Sequence, residues 1–326
     1  MFEINGKKVN GNVVLAPMAG YTSFGYRKFM IPFGVSICYT EMISDMGLIY
    51  QNKETLSYLD FPKSEIPTGV QLFGNDPENL AKAAKIAQNL NKNIDFFDVN
   101  MACPVPKVTK VGSGSALMND PEKCGEIIRA IKRETNLPVS AKIRLGWDDK
   151  NINYFEVISE LEKAGVCFVA IHARTRKELY SGKPHFDLIK DLGKKMRVPL
   201  VVSGNIFTLE DAKTAIELTG AQMVMVARGG VGNPRLVTDI DRFYKNKEQL
   251  LPPSFLEQKE YCLQLLQNLI DEKGEKRAVT IFRSMGPSFF GNIPNVKELK
   301  KQLACEITDY NSVVRIIERF EKEHIS

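Results

Sequence analysis

The sequence predicts a (β/α)₈ TIM barrel followed by a small C-terminal all-helical domain. Eight short runs rich in β-branched residues alternate with helical patterns in a regular order, and polar residues or glycines recur where those runs end. The alternation favours a parallel sheet, and in a closed barrel the carboxyl ends of all strands meet at one mouth. An open doubly wound sheet is the competing fold. The recurring strand-end residues favour the barrel.

The eight predicted strands are VVLAPM, SICYTEM, TGVQLFG, FFDVNM, PVSAKIRLG, FVAIHAR, PLVVSGN and QMVMVAR. Helical patterns lie between them, for example DPENLAKAAKIAQNL, in which Asp76 can cap the first turn and Pro77 suits the first helical position. PEKCGEIIRAIKRE is similar, and two further segments, YFEVISELEKAG and LEDAKTAIELTG, end with Gly165 and Gly220 near the C-cap. Each strand is therefore followed by a helix.

The pattern changes after Tyr244, where the polar stretch KNKEQLLPPSF carries two prolines and precedes helical segments without strands. The sequence thus predicts a catalytic barrel over residues 1–245 and a helical domain over residues 246–326. Lysines and arginines, among them Lys300 and Lys301, are interleaved there with phenylalanines. They form either a solvated surface over an aromatic core or a face that contacts nucleic-acid phosphates.

Composition sets further limits. The chain has 326 residues, is 44% hydrophobic and carries a mild net charge of +5, which suits a polyanionic partner without requiring one. Neither end resembles a signal segment and no apolar run approaches the roughly 20 residues that span a bilayer, so we expect a cytoplasmic protein without membrane contact. Six scattered cysteines and three histidines indicate neither a disulfide framework nor a metal site.

Two glycine-containing loops follow predicted strands seven and eight. VVSGNIFTLEDA contains Gly204 and Asn205, and VMVARGGVGNP contains Arg228 and Gly229. In barrels this is a frequent phosphate site, where backbone N–H groups approach the anion and a helix N-terminus adds partial positive charge. One such loop alone would indicate only a tight turn. The two together favour phosphate binding.

Two cationic sites lie at other strand ends. Lys142 interrupts an apolar strand, where a charge is costly unless it is paired or faces a polar pocket. It can stabilise negative charge on a cofactor, act as a Schiff-base nucleophile or form an inward salt bridge. His172 ends strand six, and Arg174 and Arg176 follow in its loop. A lone strand histidine is usually a core residue, but this position favours a functional one.

The stretch DVNMACPVPKV places a cysteine at the start of a loop with two prolines. Asp98, Asn100 and Ala102 alternate onto one strand face, and Cys103 follows. A nucleophilic cysteine needs a neighbouring base, whereas a general acid remains a thiol. No base lies nearby in sequence, which favours the acid role, although His172 could approach in space. An inert cysteine is the remaining alternative.

These motifs carry a family resemblance. LAPMAGYTSFGYRKF, EMISDMGL, VQLFGNDPENLAKAA, DVNMACPVPKVTKVGSGSALM, AKIRLGW, IHARTRKELYSG, SGNIFTLEDA and ARGGVGNP resemble, in order, the motifs of the tRNA-dihydrouridine synthases. The resemblance covers nearly the whole barrel, and the C-terminal segment KGEKRAVTIFRSMGPSFFGNIP is similar more loosely to the tRNA-binding domain of that family.

The resemblance implies an enzyme that uses FMN and NADPH to reduce the C5–C6 double bond of selected uridines in tRNA. By the family pattern, hydride would pass from flavin N5 to uracil C6, and Cys103 would protonate C5. Asn100 matches the residue at the uracil edge, and we expect Arg174 and Arg176 to bind substrate as well. The residues matching cofactor contacts are Pro17, Met18, Gln71, Lys142 and His172 for the flavin ring, and Gly204, Asn205, Arg228 and Gly229 for its phosphate.

Three positions depart from the family pattern: Ala102 stands where glycine is usual, and Phe186 and Arg235 stand where tryptophan is common. No complete GxGxxG follows a strand, so we expect NADPH to visit the flavin face transiently. Alternative functions are a flavin barrel acting on a free pyrimidine or another small conjugated molecule, a Schiff-base lyase, and a tRNA-binding folding aid.

Overall fold

Parallel strands surround the centre of the molecule, and helices pack outside them. The computed structural model describes residues 2–291 and 293–325, so Met1, Asn292 and Ser326 of the two predicted domains lie outside the described residues. The strands are β1 (Phe2–Ile4), β2 (Lys7–Val9), β3 (Val13–Leu15), β4 (Cys38–Tyr39), β5 (Ile43–Ser44), β6 (Thr68–Phe73), β7 (Phe96–Met101), β8 (Val139–Arg144), β9 (Gly146–Asp148), β10 (Asn151–Ile152), β11 (Val169–His172), β12 (Leu200–Ser203) and β13 (Met223–Val226).

The helices alternate with these strands and then continue alone. They are α1 (Phe24–Met30), α2 (Asp45–Ile49), α3 (Lys53–Ser57), α4 (Pro77–Leu90), α5 (Pro106–Thr109), α6 (Pro121–Glu134), α7 (Tyr154–Ala164), α8 (Leu192–Lys195), α9 (Leu209–Thr219), α10 (Arg235–Asn246), α11 (Phe255–Lys273), α12 (Glu275–Phe282), α13 (Lys297–Cys305) and α14 (Tyr310–His324). Short 3₁₀ helices span Ile31–Phe33, Gly114–Asn119, Phe186–Ile189, Arg228–Gly230 and Gly286–Phe290.

Eight parallel strands form the barrel in the order β3-β13-β12-β11-β8-β7-β6-β4, and β5 adds a second pairing to β6. The circle closes where Val14 pairs with Ile37 in parallel and the Leu15 N–H donates to the Ile37 carbonyl at 2.9 Å. The predicted (β/α)₈ barrel and its eight strands are confirmed. The hairpins β1–β2 and β9–β10 were not predicted, because strands of two or three residues show no periodicity.

Aromatic side chains fill the amino end of the barrel. Phe2 of the β1–β2 hairpin lies 6.0 Å from Phe168, which lies 5.6 Å from Phe96, and Phe96 lies 5.3 Å from Tyr39, between ring centroids. Gly69 provides the space for Phe96, since a Cβ at that glycine would overlap the ring. This end is packed like an ordinary core, so any ligand must enter from the carboxyl end.

The predicted helix ends are also confirmed. The Asp76 side chain accepts a hydrogen bond from the Asn79 N–H at 2.9 Å and Pro77 occupies the first turn of α4. Gly165 and Gly220 end α7 and α9 with φ of 80° and 67°, a conformation that glycine adopts without a Cβ penalty. Capping chemistry therefore fixes where these helices stop.

Among the C-terminal helices, α11 packs against α1 of the barrel. Glu272 at the end of α11 accepts the N–H groups of Phe24 at 3.3 Å and Gly25 at 2.7 Å, which satisfies free donors of the first turn of α1. α10 ends at Asn246 and an irregular segment leads to α11. A boundary between residues 245 and 246 remains a prediction. No helix in the described part of the chain is long and apolar enough to cross a membrane.

Gly232 provides a sharp test of this packing. Its φ is +70°, and a Cβ there would overlap the backbone of Ser288 in the C-terminal region. We expect Gly232→Ala to lower the free energy of unfolding by about 2–5 kcal/mol, because left-handed strain and overpacking add. Gly6→Ala is the control, since Gly6 has a φ of +79° with no atom within 4 Å. Equal losses in thermal or denaturant unfolding would contradict the close approach.

Candidate active site

The carboxyl ends of the barrel strands surround a cavity of about 500 Å³. This volume lies within the range typical of sites for small molecules and cofactors. Most of the predicted site residues line it: Pro17, Met18, Asn100, Cys103, Lys142, His172, Arg174, Gly204, Asn205, Arg228 and Gly229. These residues come from the ends of six barrel strands and form one wall, as a closed barrel requires.

Two predicted site residues lie outside this wall. Gln71 is fully buried behind Asn100, whose Nδ2 donates to the Gln71 Oε1 at 2.8 Å. The Arg176 guanidinium lies over the Trp147 ring at 4.6 Å, and its Nη2 donates to Thr109 Oγ1 at 3.4 Å. Arg176 therefore links the loops that follow β7, β8 and β11. The ligand contacts assigned to Gln71 and Arg176 remain predictions.

The loop carrying Cys103 is held by hydrogen bonds on both sides. Asn100 Oδ1 accepts the N–H groups of Ala102 at 3.0 Å and Cys103 at 2.8 Å. The Cys103 carbonyl accepts the Ser115 N–H at 3.1 Å and the Ser115 hydroxyl at 3.0 Å. Gly114 has a φ of +61°, and a Cβ there would lie 2.8 Å from that carbonyl. The GSGSAL stretch therefore supports the cysteine loop.

The Cys103 thiol lies on the cavity wall, and it forms no hydrogen bond with any residue that the structure describes. His172, which could have acted as a base, instead has its Nε2 3.2 Å from Arg174 Nη1. A nucleophilic thiolate would need a base within hydrogen-bond reach. The arrangement favours a thiol that can donate its proton to a bound molecule.

His172 is a neutral hydrogen-bond donor. Burial first, and then the charges of Lys142, Arg144, Arg174 and Arg228, hold its pKa well below the usual range. Because a guanidinium only donates, the His172 Nε2 facing Arg174 must accept, and the ring proton resides on Nδ1. No described residue accepts from Nδ1. An N–H donor is therefore available to an occupant of the cavity.

Lys142 is a cation without a partner in the part of the chain that the structure describes. It lines the cavity and forms no hydrogen bond or ion pair within the described ranges. Within the described ranges Lys142 does not form the inward salt bridge considered from the sequence. Asp98 instead accepts hydrogen bonds from Gln71 Nε2 at 2.7 Å and from Ser140 Oγ at 2.6 Å. Burial and then Arg144 lower the pKa of Lys142 to about 8, while Asp98 opposes that change. A negatively charged occupant would stabilise this ammonium.

The loops after β12 and β13 pack closely against each other. A Cβ at Gly229 would overlap the Ile206 carbonyl, and Gly204, with a φ of +142°, would place one 2.8 Å from Pro184. The Arg228 side chain has no hydrogen bond or ion pair in the described chain, and its guanidinium lies 5.4 Å from the Tyr180 ring. The 3₁₀ turn beginning at Arg228 leaves its first N–H groups without intrahelical acceptors. These donors and this cation could hold a phosphate.

Arg174 connects two loops at the cavity rim. It is fully buried, and it donates to the carbonyls of Ser181 and Gly182 and to the Asn205 side chain at 3.1 Å. Asn205 itself adopts a φ of +47°. Most donors of the Arg174 guanidinium are therefore used within the protein. Its predicted contact with substrate remains a prediction.

Sequence reasoning did not identify Arg144 and Tyr180 as wall residues. Arg144 is 1% exposed and donates to the carbonyls of Ala102 at 2.7 Å, Thr175 at 2.7 Å and Leu179 at 2.8 Å. Leu179 has a φ of +54°, which is costly for a bulky residue, and Tyr180 follows it at the rim. The alternation from Lys142 to Arg144 along β8 could have identified the arginine.

The charged groups of the cavity wall are cationic. Lysine and arginine side chains dominate the charged part of the lining. Within residues 2–291 and 293–325, no group of three or more His, Cys, Asp or Glu side chains is arranged to hold a metal ion. The cavity therefore suits an anionic ligand.

We expect an NMR titration of the Lys142 ammonium in ligand-free protein to give a pKa near 8 instead of its ordinary 10.5. Between pH 8 and pH 10.5 the unfolded chain binds more protons at this group than the folded protein does. The free energy of unfolding therefore increases as the pH rises through this range. Asp98→Asn should lower the pKa of Lys142 further, because the Asp98 charge raises it. A pKa above 10 in the parent protein would contradict the burial of an unpaired ammonium.

Comparison with known proteins agrees with this geometry. A probable tRNA-dihydrouridine synthase from Rickettsia bellii is 32% identical over 301 residues, which cover 92% of each chain. The tRNA-dihydrouridine synthase B of Pseudomonas aeruginosa is 33% identical over 291 residues, covering 89% of this chain and 87% of the relative. Both relatives align with most of the barrel and of the C-terminal helices.

A solved structure, histamine dehydrogenase from Rhizobium sp. 4-9, shares the barrel fold with a TM-score of 0.53. It is 11% identical in sequence, and the match covers 80% of this chain and 50% of that one. The family described as dihydrouridine synthase (Dus) matches residues 14–322. That range includes every residue found on the cavity wall. The chain therefore belongs to the dihydrouridine synthase family.

Proposed function

We propose that this protein reduces the C5–C6 double bond of selected uridines in tRNA, with FMN as bound cofactor and NADPH as reductant. The observation that carries the proposal is a cavity in which the Cys103 thiol and the Lys142 ammonium line the same wall, and neither has a partner among the described residues. A reduction that adds hydride to one ring carbon and a proton to the next needs a group that stabilises charge and a group that donates a proton. Both are present.

The residues at the mouth fit a flavin mononucleotide. The cavity volume suits a nucleotide-sized ligand, and the Arg228 guanidinium and the glycine loops lie together, as a terminal phosphate requires. Lys142 and the Nδ1–H of His172 offer a cation and a donor to the polar edge of a ring system that gains electrons. Pro17 and Met18 provide apolar contact.

A flavin bound in this cavity would supply hydride to C6 of the uracil ring. Cys103 would donate the proton that C5 then requires, because its thiol has no partner among the described residues and its loop is fixed by Asn100 and Ser115. Asn100 Oδ1 already accepts two backbone N–H groups. Any contact of Asn100 with the uracil edge must therefore use the second Nδ2 hydrogen, whose neighbour is the Met42 sulfur at 3.7 Å.

The route from tRNA to this cavity requires extrusion of the base. A stacked uridine cannot reach the floor of a barrel mouth, so the nucleotide must swing out of the RNA stack. The C-terminal helices present cations that can contact the phosphate backbone: Lys276, Arg277, Arg283, Lys297, Lys301, Arg315 and Arg319. NADPH would visit the same mouth transiently, since no complete GxGxxG follows a strand.

A Schiff-base lyase is the second candidate, because an unpaired lysine with a lowered pKa is also a nucleophile. Borohydride reduction in the presence of a carbonyl substrate would trap an adduct on Lys142 only in that case. The family relationship favours uridine reduction over both the lyase and the reduction of a free pyrimidine.

Nucleoside analysis tests the proposal directly. We expect unmodified tRNA incubated with the protein, FMN and NADPH to gain dihydrouridine, and Cys103→Ala to lose roughly 10²- to 10⁴-fold of that rate, the usual contribution of a general acid. Binding of flavin and tRNA should persist in the variant. Cys305→Ala, which changes an exposed cysteine on α13, is the matched control. Near-normal turnover by Cys103→Ala would remove the proton-donor role, and turnover of free uracil alone would favour the small-molecule alternative.

Arg228→Ala tests the phosphate site. Losing a charge-assisted contact should weaken FMN retention roughly 10- to 100-fold, because hydrogen bonds to charged groups contribute about 1.5–3 kcal/mol. Arg242→Ala changes the net charge equally at an exposed position of α10, where Arg242 pairs with Glu248 at 3.0 Å. Flavin occupancy after dialysis, read from absorbance, should fall only in the first variant. Equal occupancy would locate the phosphate elsewhere.

A further inference from the structure

A continuous chain of hydrogen bonds runs from a buried carboxylate to the backbone of the cysteine loop. It passes from Asp98 through the amide side chains of Gln71 and Asn100 to the N–H groups of Ala102 and Cys103. We propose that Asp98 is a positioning residue that fixes the direction of both amides and thereby the place of Cys103. The catalytic consequence rests on the proposed function, but the structural role does not.

Asp98 sets the donor-to-acceptor direction of this chain of hydrogen bonds. This residue lies on β7, is 0% exposed, and does not line the cavity. Its Oδ2 faces Gln71 Nε2 at 2.7 Å and its Oδ1 faces the Ser140 hydroxyl at 2.6 Å. An ionised carboxylate only accepts hydrogen bonds. Gln71 must therefore turn its NH₂ end towards Asp98 and its carbonyl end away.

The orientation of the Gln71 amide determines the orientation of the Asn100 amide. The outward carbonyl of Gln71 accepts Asn100 Nδ2 at 2.8 Å, so the Asn100 carbonyl must point to the opposite side. There it accepts the N–H groups of Ala102 and Cys103, which can only donate. The orientation of an amide is normally assigned from its surroundings. Here both ends of the chain, a carboxylate and two backbone donors, require the same orientation.

A direct ion pair does not account for a carboxylate at this position, because Asp98 forms none with a described residue. Burial raises the pKa of Asp98 to about 6, so folding bears a cost for a group that an apolar residue could replace. The competing role is that of a distant counter-charge for Lys142, since each of the two groups affects the pKa of the other. If Asp98 orients the amides, this position needs a hydrogen-bond acceptor. If Asp98 is a counter-charge, the position needs a negative charge. The two roles therefore predict that different variants are tolerated.

Asp98→Ala removes the acceptor and should free both amides to rotate. Asp98→Asn removes the charge but retains an acceptor, because the oxygen of the introduced amide can face Gln71 while its NH₂ group donates to the Ser140 oxygen. The orientation role therefore predicts loss in the alanine variant and rescue in the asparagine variant. The counter-charge role predicts that neither variant behaves like the parent.

Residue-resolved amide hydrogen exchange of Ala102 and Cys103 is the direct measurement. We expect roughly tenfold faster exchange at both amides in Asp98→Ala, in line with the loss of one buried hydrogen bond, and near-parent exchange in Asp98→Asn. Asp95→Asn is the matched control, because Asp95 is buried beside the same strand but bonds to Thr68 and Lys7. Ser140→Ala removes the other contact of Asp98 and should leave the two amides protected. If Asp98→Ala does not fold, Asp98→Val fills the space without an acceptor.

Exchange measurements separate this inference from the proposed function. Unchanged protection in Asp98→Ala or Asp98→Val would overturn the positioning role, even in an active enzyme. Faster exchange in Asp98→Asn as well would also overturn it, in favour of charge. Faster exchange in the acceptor-free variant alone supports it, even if the parent protein does not reduce tRNA. In an active enzyme that variant should lower kcat at least roughly tenfold with KM for tRNA unchanged, since the thiol and not the RNA contact is displaced.

Discussion

The bridge between Val14 of β3 and Ile37, the residue before β4, is the constraint on which the site depends. Because β3 also pairs with β13, this bridge connects the first barrel strand to the second and closes the barrel. Closure brings Pro17 and Met18, which follow β3, to the same wall as Cys103 and Lys142. Glu41 then accepts the Gly20 N–H at 2.6 Å and ties the first two loops together. In an open sheet these loops would lie at separate edges.

Closure also concentrates positive charge. The wall contains Lys142, Arg144, Arg174 and Arg228, and beneath them lies the carboxylate of Asp98, itself used in hydrogen bonds to Gln71. Burial first, and then the neighbouring cations, lower the pKa of Lys142 and keep His172 neutral. Arg144 and Arg174 donate to backbone carbonyls of the surrounding loops, while the Lys142 and Arg228 side chains have no hydrogen-bond acceptor in the described chain. The molecule therefore separates the cations that build the loops from those available to a ligand.

Sequence reasoning identified the parts of this arrangement that depend on local patterns. The eight strands followed from short apolar runs, and the helix ends from Asp76, Gly165 and Gly220, because capping and turn chemistry act within a few residues. Strand-end residues could be assigned to one wall once the barrel was assumed. Arg144 could not, since its partners Ala102, Thr175 and Leu179 come from two separate loops. Contacts of that kind are set by tertiary packing.

The departures from the family pattern have physical explanations of the same kind. Ala102 has no positive φ, and its N–H and carbonyl bond to Asn100 and Arg144, so a methyl group replaces glycine without backbone strain. Arg235 lies away from the cavity, where it bonds to Glu257 at 3.1 Å and Tyr261 at 3.4 Å and joins α10 to α11.

Phe186 is 8% exposed and packs in the core. Of the three departures only Ala102 lines the cavity, and the Cys103 thiol, the Lys142 ammonium and the two glycine loops line it as well. Phe186 and Arg235 lie outside the lining, where packing and side-chain contacts between helices can accommodate different residues. The three departures are therefore compatible with the chemistry of the cavity.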